Sequence, residues 1–354
     1  MNPIPSCSDH LAAAVPLAVE HLRGILDHAI EHRAGRGAVV VWDGDSDLAL
    51  ALASAYRTCL PEAQFVRFDP QRANAVLSIF DGLEAGDLVV LVQSTSFRLD
   101  AFRIRIELFR RSLRVIEHPH LGRLEGEEAL VYVDALAYDR DYYRTVGRAL
   151  QARIDGASTC EVESGGASLC FPAGFEPAKV NIGDYTGMRN IGGQFPIGEV
   201  FTESKDLEAV HGRVRIDFFG GPDFTVRRPP QPITLVIEGG RVVDTVDSVS
   251  AFDSVLEKVR QDEGDVRLRE LGFGLNRAMS EDRVVRDIGT FERKCGVHLS
   301  LGAKHAVYSK PGISKRAARH HVDVFVAAVG VTLDGVPIFR EGAWVPGSAA
   351  SDRC

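Results

Sequence analysis

The chain has 354 residues, of which 45% are hydrophobic and 25% charged, and its formal net charge is −8. This composition is typical of globular proteins, the length predicts about two domains, and the acidic balance excludes a global basic field for nucleic acid. No stretch approaches the roughly 18 apolar residues of a membrane span, and the N-terminus lacks a secretory pattern, so we expect a cytosolic protein without a membrane partner.

Helical and strand patterns alternate along the first part of the chain. Apolar residues at helical spacing predict a helix within residues 9–33, and the apolar run Ala38–Trp42 predicts a buried strand. The predicted helices and strands that follow are Leu48–Tyr56, Gln64–Phe68, Ala73–Phe80, Asp87–Val92 and Tyr142–Ile154. Strands that recur between helices indicate a parallel sheet covered on both faces.

An acidic turn, residues 43–47, follows the first predicted strand. Open α/β sheets often bind ligands at such positions. The turn lacks the glycines of a dinucleotide fingerprint, however, and Ser46 or an aspartate would serve as a helix N-cap. We therefore expect a helix start rather than a nucleotide or ion site.

The composition changes after the helix that ends near Ile154, where glycine, serine and threonine become frequent and strand patterns dominate. We expect an N-terminal α/β domain at residues 1–156 and a second domain at residues 157–354. Pro232–Glu238 and Arg241–Asp244 flank Gly239 and Gly240, which predicts a hairpin. The predicted fold class is α/β, with a parallel N-terminal domain and a mixed α+β C-terminal domain.

Polar residues interrupt four apolar segments of the second half. In residues 321–326, strand alternation puts His321 and Asp323 on one face. His298 is set in the same way in residues 297–302, whereas Glu199 and Glu270 lie in apolar or glycine-rich segments. A lone histidine is more often structural, but buried carboxylates are costly without a partner or a metal ion.

Together these five residues form a mixed nitrogen and oxygen ligand set that suits zinc, manganese, cobalt or iron. The six cysteines of the chain are scattered without C-x-x-C spacing and contribute nothing to the set, so we expect free thiols and no structural zinc site. The pattern favours a catalytic ion with open coordination positions, so we expect residues 157–354 to form a metal-binding catalytic domain.

Residues 189–202, read as RNIGGQFPIGEVFT, resemble the N-x-P-x-G-E-V-F-T metal-binding segment of the metallo-aminopeptidases T and S, with Gln194 in place of the leading asparagine. Glu270, His298 and the His321/Asp323 pair occur in that family's order. The resemblance is clearest over residues 181–326 and weaker in the first half.

This resemblance implies that Glu199, Glu270, His298, His321 and Asp323 hold two adjacent divalent ions, zinc, cobalt or manganese, in a hydrolase that cleaves peptides or amino-acid amides. The family has a tyrosine where this chain has His305, so we expect His305, with Glu270, to act in catalysis, and Tyr308 is an alternative donor. Glu292 is either an additional carboxylate near the metals or a surface residue. Glu203 and Ser204 also depart from the family pattern, and a homodimer is left open.

The chain also resembles 2,5-dihydroxypyridine dioxygenase around residues 270–276. That resemblance implies one Fe(II) ion, held with a histidine at the position of Glu270 and by the equivalents of His321 and Asp323. Because this chain has Glu270, Glu199 and His298, the ligand set favours the hydrolase. An iron oxygenase and a non-catalytic metal- or peptide-binding protein remain the alternatives.

Overall fold

The computed structural model describes residues 4–69, 75–99, 102–314 and 316–345. Within these ranges, no helix is long and apolar enough to cross a membrane. Five of the cysteines are described and all five are free, whereas Cys354 lies outside the described residues.

The helices begin and end as follows, in chain order. They are α1 (Asp9–Ala12), α2 (Val15–Gly24), α3 (Asp47–Cys59), α4 (Ala75–Phe80), α5 (Ile104–Arg110), α6 (Glu127–Ala135), α7 (Arg140–Gly156), α8 (Ser250–Glu263) and α9 (Ile288–Phe291), with a π-helix at Ile25–Ala29 and a 3-10 helix at Leu121–Arg123.

The strands follow in the same order. They are β1 (Ala38–Trp42), β2 (Gln64–Arg67), β3 (Leu88–Val92), β4 (Arg98–Leu99), β5 (Phe102–Arg103), β6 (Arg114–His118), β7 (Cys160–Ser164), β8 (Ala167–Phe171), β9 (Lys179–Asn181), β10 (Gly192–Gln194), β11 (Glu199–Glu203), β12 (His211–Gly220), β13 (Val226–Arg227), β14 (Ile233–Glu238), β15 (Arg241–Val246), β16 (Leu268–Gly274), β17 (Gly296–Leu301), β18 (Val322–Val326), β19 (Gly330–Leu333), β20 (Val336–Arg340) and β21 (Ala343–Trp344).

The chain divides into two compact units. Unit 1 comprises Met1–Tyr143, Ile182–Ile197 and Ala278–Thr290, and unit 2 comprises Arg144–Asn181, Gly198–Arg277 and Phe291–Cys354. These units describe packing, whereas the predicted boundary after residue 156 rests on a change of composition along the sequence. That boundary stays a prediction.

Unit 1 contains a five-stranded sheet in the order β10–β6–β3–β1–β2, and all neighbouring strands are parallel. Every residue of β3 is buried, and so are the last four residues of β1. Strands covered on both faces have continuous apolar runs, which is why these two segments were recognisable. The predicted parallel α/β arrangement is confirmed.

The acidic turn is part of the fold of unit 1. The Ser46 hydroxyl caps α3 by accepting a hydrogen bond from the Ala49 amide at 3.3 Å, as predicted. Asp43 is buried and accepts hydrogen bonds from the Ser94 amide at 2.8 Å and hydroxyl at 2.5 Å. The Asp43 carboxylate therefore joins the ends of β1 and β3.

The predicted helix within residues 9–33 is interrupted. The structure ends α1 at Ala12 and starts α2 at Val15, with Pro16 in the first turn of α2. Proline is tolerated there because a first-turn residue needs no intrahelical amide bond. The predicted helix 73–80 is observed from Ala75, and its first two residues lie outside the described ranges.

Unit 2 contains a 14-stranded sheet whose main path is β21–β20–β19–β7–β8–β12–β18–β17–β16–β11–β9. The predicted hairpin is β14–β15, and both glycines of its turn have positive φ angles, as a two-residue turn of this type requires. Four consecutive strands of the path, β11, β16, β17 and β18, are antiparallel neighbours. The mixed α+β character of this half is confirmed.

Candidate metal centre

Four neighbouring strands of unit 2 carry the predicted ligands. Glu199 begins β11, Glu270 lies in β16, His298 in β17 and Asp323 in β18, and His321 directly precedes β18. All but His321 are buried residues. Because neighbouring strands are about 5 Å apart, side chains on one face of such a sheet can meet.

The five side chains form two clusters with one common member. Glu199, Glu270 and His298 each offer a ligand atom within 4.8 Å of the others, and so do Glu270, His321 and Asp323. The structure thus brings together all five residues that the sequence singles out. Glu270 is the residue that both clusters share.

The close nitrogen–oxygen pairs of these clusters are not ordinary hydrogen bonds. His298 Nε2 lies 3.4 Å from Glu199 Oε1 and 3.5 Å from Glu270 Oε1, and His321 Nε2 lies 3.0 Å from Asp323 Oδ1. Among the described residues, however, neither His298 Nε2 nor Asp323 Oδ1 has a partner with hydrogen-bond geometry. Buried polar atoms without partners are costly, so atoms that converge without bonding one another fit a common cation.

A glycine makes room for the His298 ring. Gly272 of β16 pairs with His298 of β17, and a Cβ atom at residue 272 would overlap the imidazole ring at Nε2 and Cε1. The ring therefore lies across the glycine and reaches the two glutamates. The sequence pattern offered no signal for this role of Gly272.

Two histidine rings are oriented by the backbone in opposite ways. His321 Nδ1 is 3.1 Å from the Lys304 carbonyl oxygen and donates to it, which leaves Nε2 with a lone pair once it is deprotonated. In a metal-binding histidine, the ring nitrogen that does not bind the metal commonly donates a hydrogen bond to a carbonyl oxygen or a carboxylate.

His305 Nδ1 instead accepts from the amides of Val307 at 3.1 Å and Tyr308 at 3.4 Å. The proton of neutral His305 is then on Nε2, which lies 3.0 Å from Glu270 Oε2. His305 is thus a donor in its neutral form, and protonation of the ring is not required for that role.

Buried charges shift the titration of the cluster. Burial lowers the pKa of His298, but the nearby carboxylates of Glu199 and Glu270 outweigh it and raise that pKa to about 9. Burial also lowers the pKa of His321, but the charge of Asp323 outweighs it and raises that pKa to about 10. Burial raises the pKa of Glu270, yet its histidine neighbours hold that pKa below the ordinary value. In the ion-free protein, protons on histidine balance the carboxylates.

The ion-free protein is expected to lose stability as the pH rises from about 6.5 to about 10. The unfolded pKa of histidine is about 6.5, and the folded pKa values of His298 and His321 are higher, about 9 and about 10. Their contribution is therefore complete below about pH 6.5 and lost as the pH rises through the folded values.

Urea unfolding with a chelator at pH 6.5 and pH 9.5 measures this effect. His298→Gln should flatten the pH dependence, because glutamine keeps a polar group but does not titrate. Stability that rises over this range in the unsubstituted protein would contradict the charge balance described above.

Two buried arginines near the clusters, Arg269 and Arg293, were not predicted. Arg293 is buried and forms an ion pair with Glu292. Its Nη2 atom lies 3.5 Å from Glu199 Oε2. Glu292 is therefore linked to the cluster through Arg293. Arg269 forms a buried ion pair with Glu203 and also donates to the Ala303 carbonyl.

Tyr308 does not direct its hydroxyl at the clusters. It donates to the Pro177 carbonyl at 2.7 Å and lies 3.5 Å from the Phe201 carbonyl. Burial raises the pKa of this phenol well above its ordinary value. Of the two donors considered from the sequence, His305 is the one whose polar atom meets Glu270.

Comparisons with protein-family models find no match, and neither do comparisons with curated proteins. Among solved structures, the chain is similar to 2,5-dihydroxypyridine dioxygenase from Pseudomonas putida, with a TM-score of 0.62 and 16% identity, over 95% of this chain and 97% of that one. It is also similar to wild-type AmpT from Thermus thermophilus, with a TM-score of 0.59 and 16% identity, over 94% and 100%. At this identity the similarities show the fold, and the predicted mixed α/β class is confirmed.

Proposed function

We propose that the chain is a metal-dependent hydrolase of the aminopeptidase type, which removes an amino-terminal residue or cleaves a small amide in the cytosol. The observation that carries the proposal is the position of Glu270 in both ligand clusters. Glu199 and His298 would hold one divalent ion, His321 and Asp323 the other, and Glu270 both. Zinc, cobalt and manganese suit such ligands.

Bound there, divalent ions supply Lewis acidity and lower the pKa of water. The chain itself contributes a donor and a fixed geometry. The Nε2–H group of His305, held by two backbone amides at Nδ1, would donate to an oxygen that becomes negatively charged during amide cleavage. The fold similarity to AmpT supports this reading.

A mononuclear Fe(II) oxygenase is the second candidate, and the fold similarity to 2,5-dihydroxypyridine dioxygenase supports it equally. Non-haem iron oxygenases typically use two histidines and one carboxylate. Each ligand cluster of the described residues instead has one histidine and two carboxylates. The donor set therefore favours the hydrolase. A third candidate is a binding protein on this fold that holds metal or peptide without turnover.

Metal analysis combined with two activity assays tests the proposal. We expect about two ions per chain in protein purified without chelator or nickel affinity, and hydrolysis of a mixed dipeptide and amino-acid amide panel followed by mass spectrometry. No oxygen uptake is expected with 2,5-dihydroxypyridine and Fe(II).

The Asp323→Asn protein, prepared in the same way, controls for contaminating peptidases. One iron per chain with oxygen uptake would replace the hydrolase with the oxygenase. Two ions without turnover of any panel member would favour the binding protein.

A further inference from the structure

A cationic segment extends from the candidate metal centre. The whole chain has a net charge of −8, yet residues 303–320 contain no aspartate or glutamate. The lysines and arginines of this segment are Lys304, Lys310, Lys315, Arg316 and Arg319. Such a local reversal of charge in an acidic protein attracts anions.

Part of this segment borders a cavity of about 230 Å³. Among the residues that the structure describes, three cations and no carboxylate line the cavity. The lining side chains that matter here are Arg269, Lys304, His305, Tyr308, Lys310 and Ile313. His305 connects the cavity to the metal centre, since its Nε2 lies 3.0 Å from Glu270.

Two of the three cations are neutralised by the protein. Arg269 is paired with Glu203, and Lys310 Nζ lies 2.5 Å from Glu176 Oε1. Lys304 is exposed and forms no ion pair with any described residue. The uncompensated charge of the cavity is therefore the Lys304 ammonium group.

The backbone of Lys304 is fixed beside the proposed ligands. Its carbonyl accepts from His321 Nδ1 at 3.1 Å, and its amide donates to the His320 carbonyl at 3.0 Å. Glu263 accepts from the amides of Ala303 at 2.7 Å, Arg319 at 2.6 Å and His320 at 2.7 Å, and so clamps both ends of the segment. The start of the Lys304 side chain is thus held near the metal centre.

We infer that this cavity binds a carboxylate of the substrate, so that the site acts on acidic peptides or acidic amino-acid amides. The inference rests on the proposed function, because it names the substrate class of the same site. A substrate held at the metal centre by one group would place its second, anionic group near Lys304. A charge pair at an exposed lysine changes affinity by up to about fivefold.

Binding of glutarate and of its monoamide, measured by calorimetry on the protein as purified with its metal, tests the inference without turnover. Either compound can reach the metal centre through one carboxylate, but only glutarate has a second charge. We expect glutarate to bind about fivefold more tightly, beyond the factor of two for its two equivalent carboxylates. Lys304→Gln should abolish this preference and leave monoamide affinity unchanged.

Arg316→Gln is the matched control, because Arg316 is an exposed cation of the same segment that does not line the cavity. It should keep the preference for glutarate. A preference for glutarate no greater than the factor of two, no binding of either compound at 10 mM, or an equal loss in both variants would overturn the inference. A failed peptidase assay with the glutarate preference intact would count against the hydrolase alone.

Discussion

The His321→Ala protein is expected to lose one of its two ions, the one held by Glu270, His321 and Asp323, and all measurable turnover. His321 offers Nε2 to the Glu270 and Asp323 cluster, while its Nδ1 is engaged by the Lys304 carbonyl. Alanine removes the only nitrogen ligand that this cluster contains among the described residues. It leaves two buried carboxylates with less positive charge beside them. Metal content per chain and hydrolysis of the dipeptide panel measure the effect.

His305→Ala and His320→Ala are the matched variants. His305→Ala should keep its metal and lower the rate by about 10²–10³, the range for loss of one positioned donor. His320→Ala should keep metal and turnover, because His320 Nε2 bonds Asp262 at 2.7 Å instead of a cluster residue. If His305→Ala lost metal while His321→Ala retained it, the assignment of the two rings would be reversed.

The Gly272→Ala protein is expected to bind one ion in place of two. A methyl group at this position overlaps the His298 ring, so the ring must leave the cluster that it forms with Glu199 and Glu270. The cluster of Glu270, His321 and Asp323 keeps its ligands. Overpacking of this kind also costs about 1–3 kcal/mol of stability. Metal stoichiometry and urea unfolding measure the two effects.

The control for this change is Gly24→Ala in α2, where an added Cβ meets no atom within 4 Å. It should bind two ions and unfold at the same or a higher urea concentration, since alanine favours the helix by up to about 1 kcal/mol. Two ions in Gly272→Ala would show that His298 is not needed for metal binding.

Local patterns predicted much of the fold and the members of both clusters. The continuous apolar runs of β1 and β3 predict buried strands because both faces of these strands are covered. The sequence predicts Ser46 as a helix N-cap because capping depends on only a few neighbouring residues. Glu199 and Glu270 stood out because a carboxylate within an apolar strand needs a buried partner.

Features that depend on distant parts of the chain were not predictable. The ion pair of Arg269 with Glu203 joins residues 66 positions apart, and nothing local indicates it. The strand β10 has two glycines and no strand pattern, yet it pairs with β6 in unit 1. A side chain at Gly192 would overlap the Val115 carbonyl, so close backbone approach, rather than propensity, determines this pairing.

The hydrogen bonds of Glu263 determine which parts of residues 303–320 can change in sequence. One carboxylate holds the backbone at Ala303, Arg319 and His320 through amide groups, which every residue type except proline provides. Residues between the clamped ends can therefore be exchanged without displacing the backbone that carries His321. Changes of sequence within this segment could therefore alter the cavity while the proposed metal ligands keep their positions.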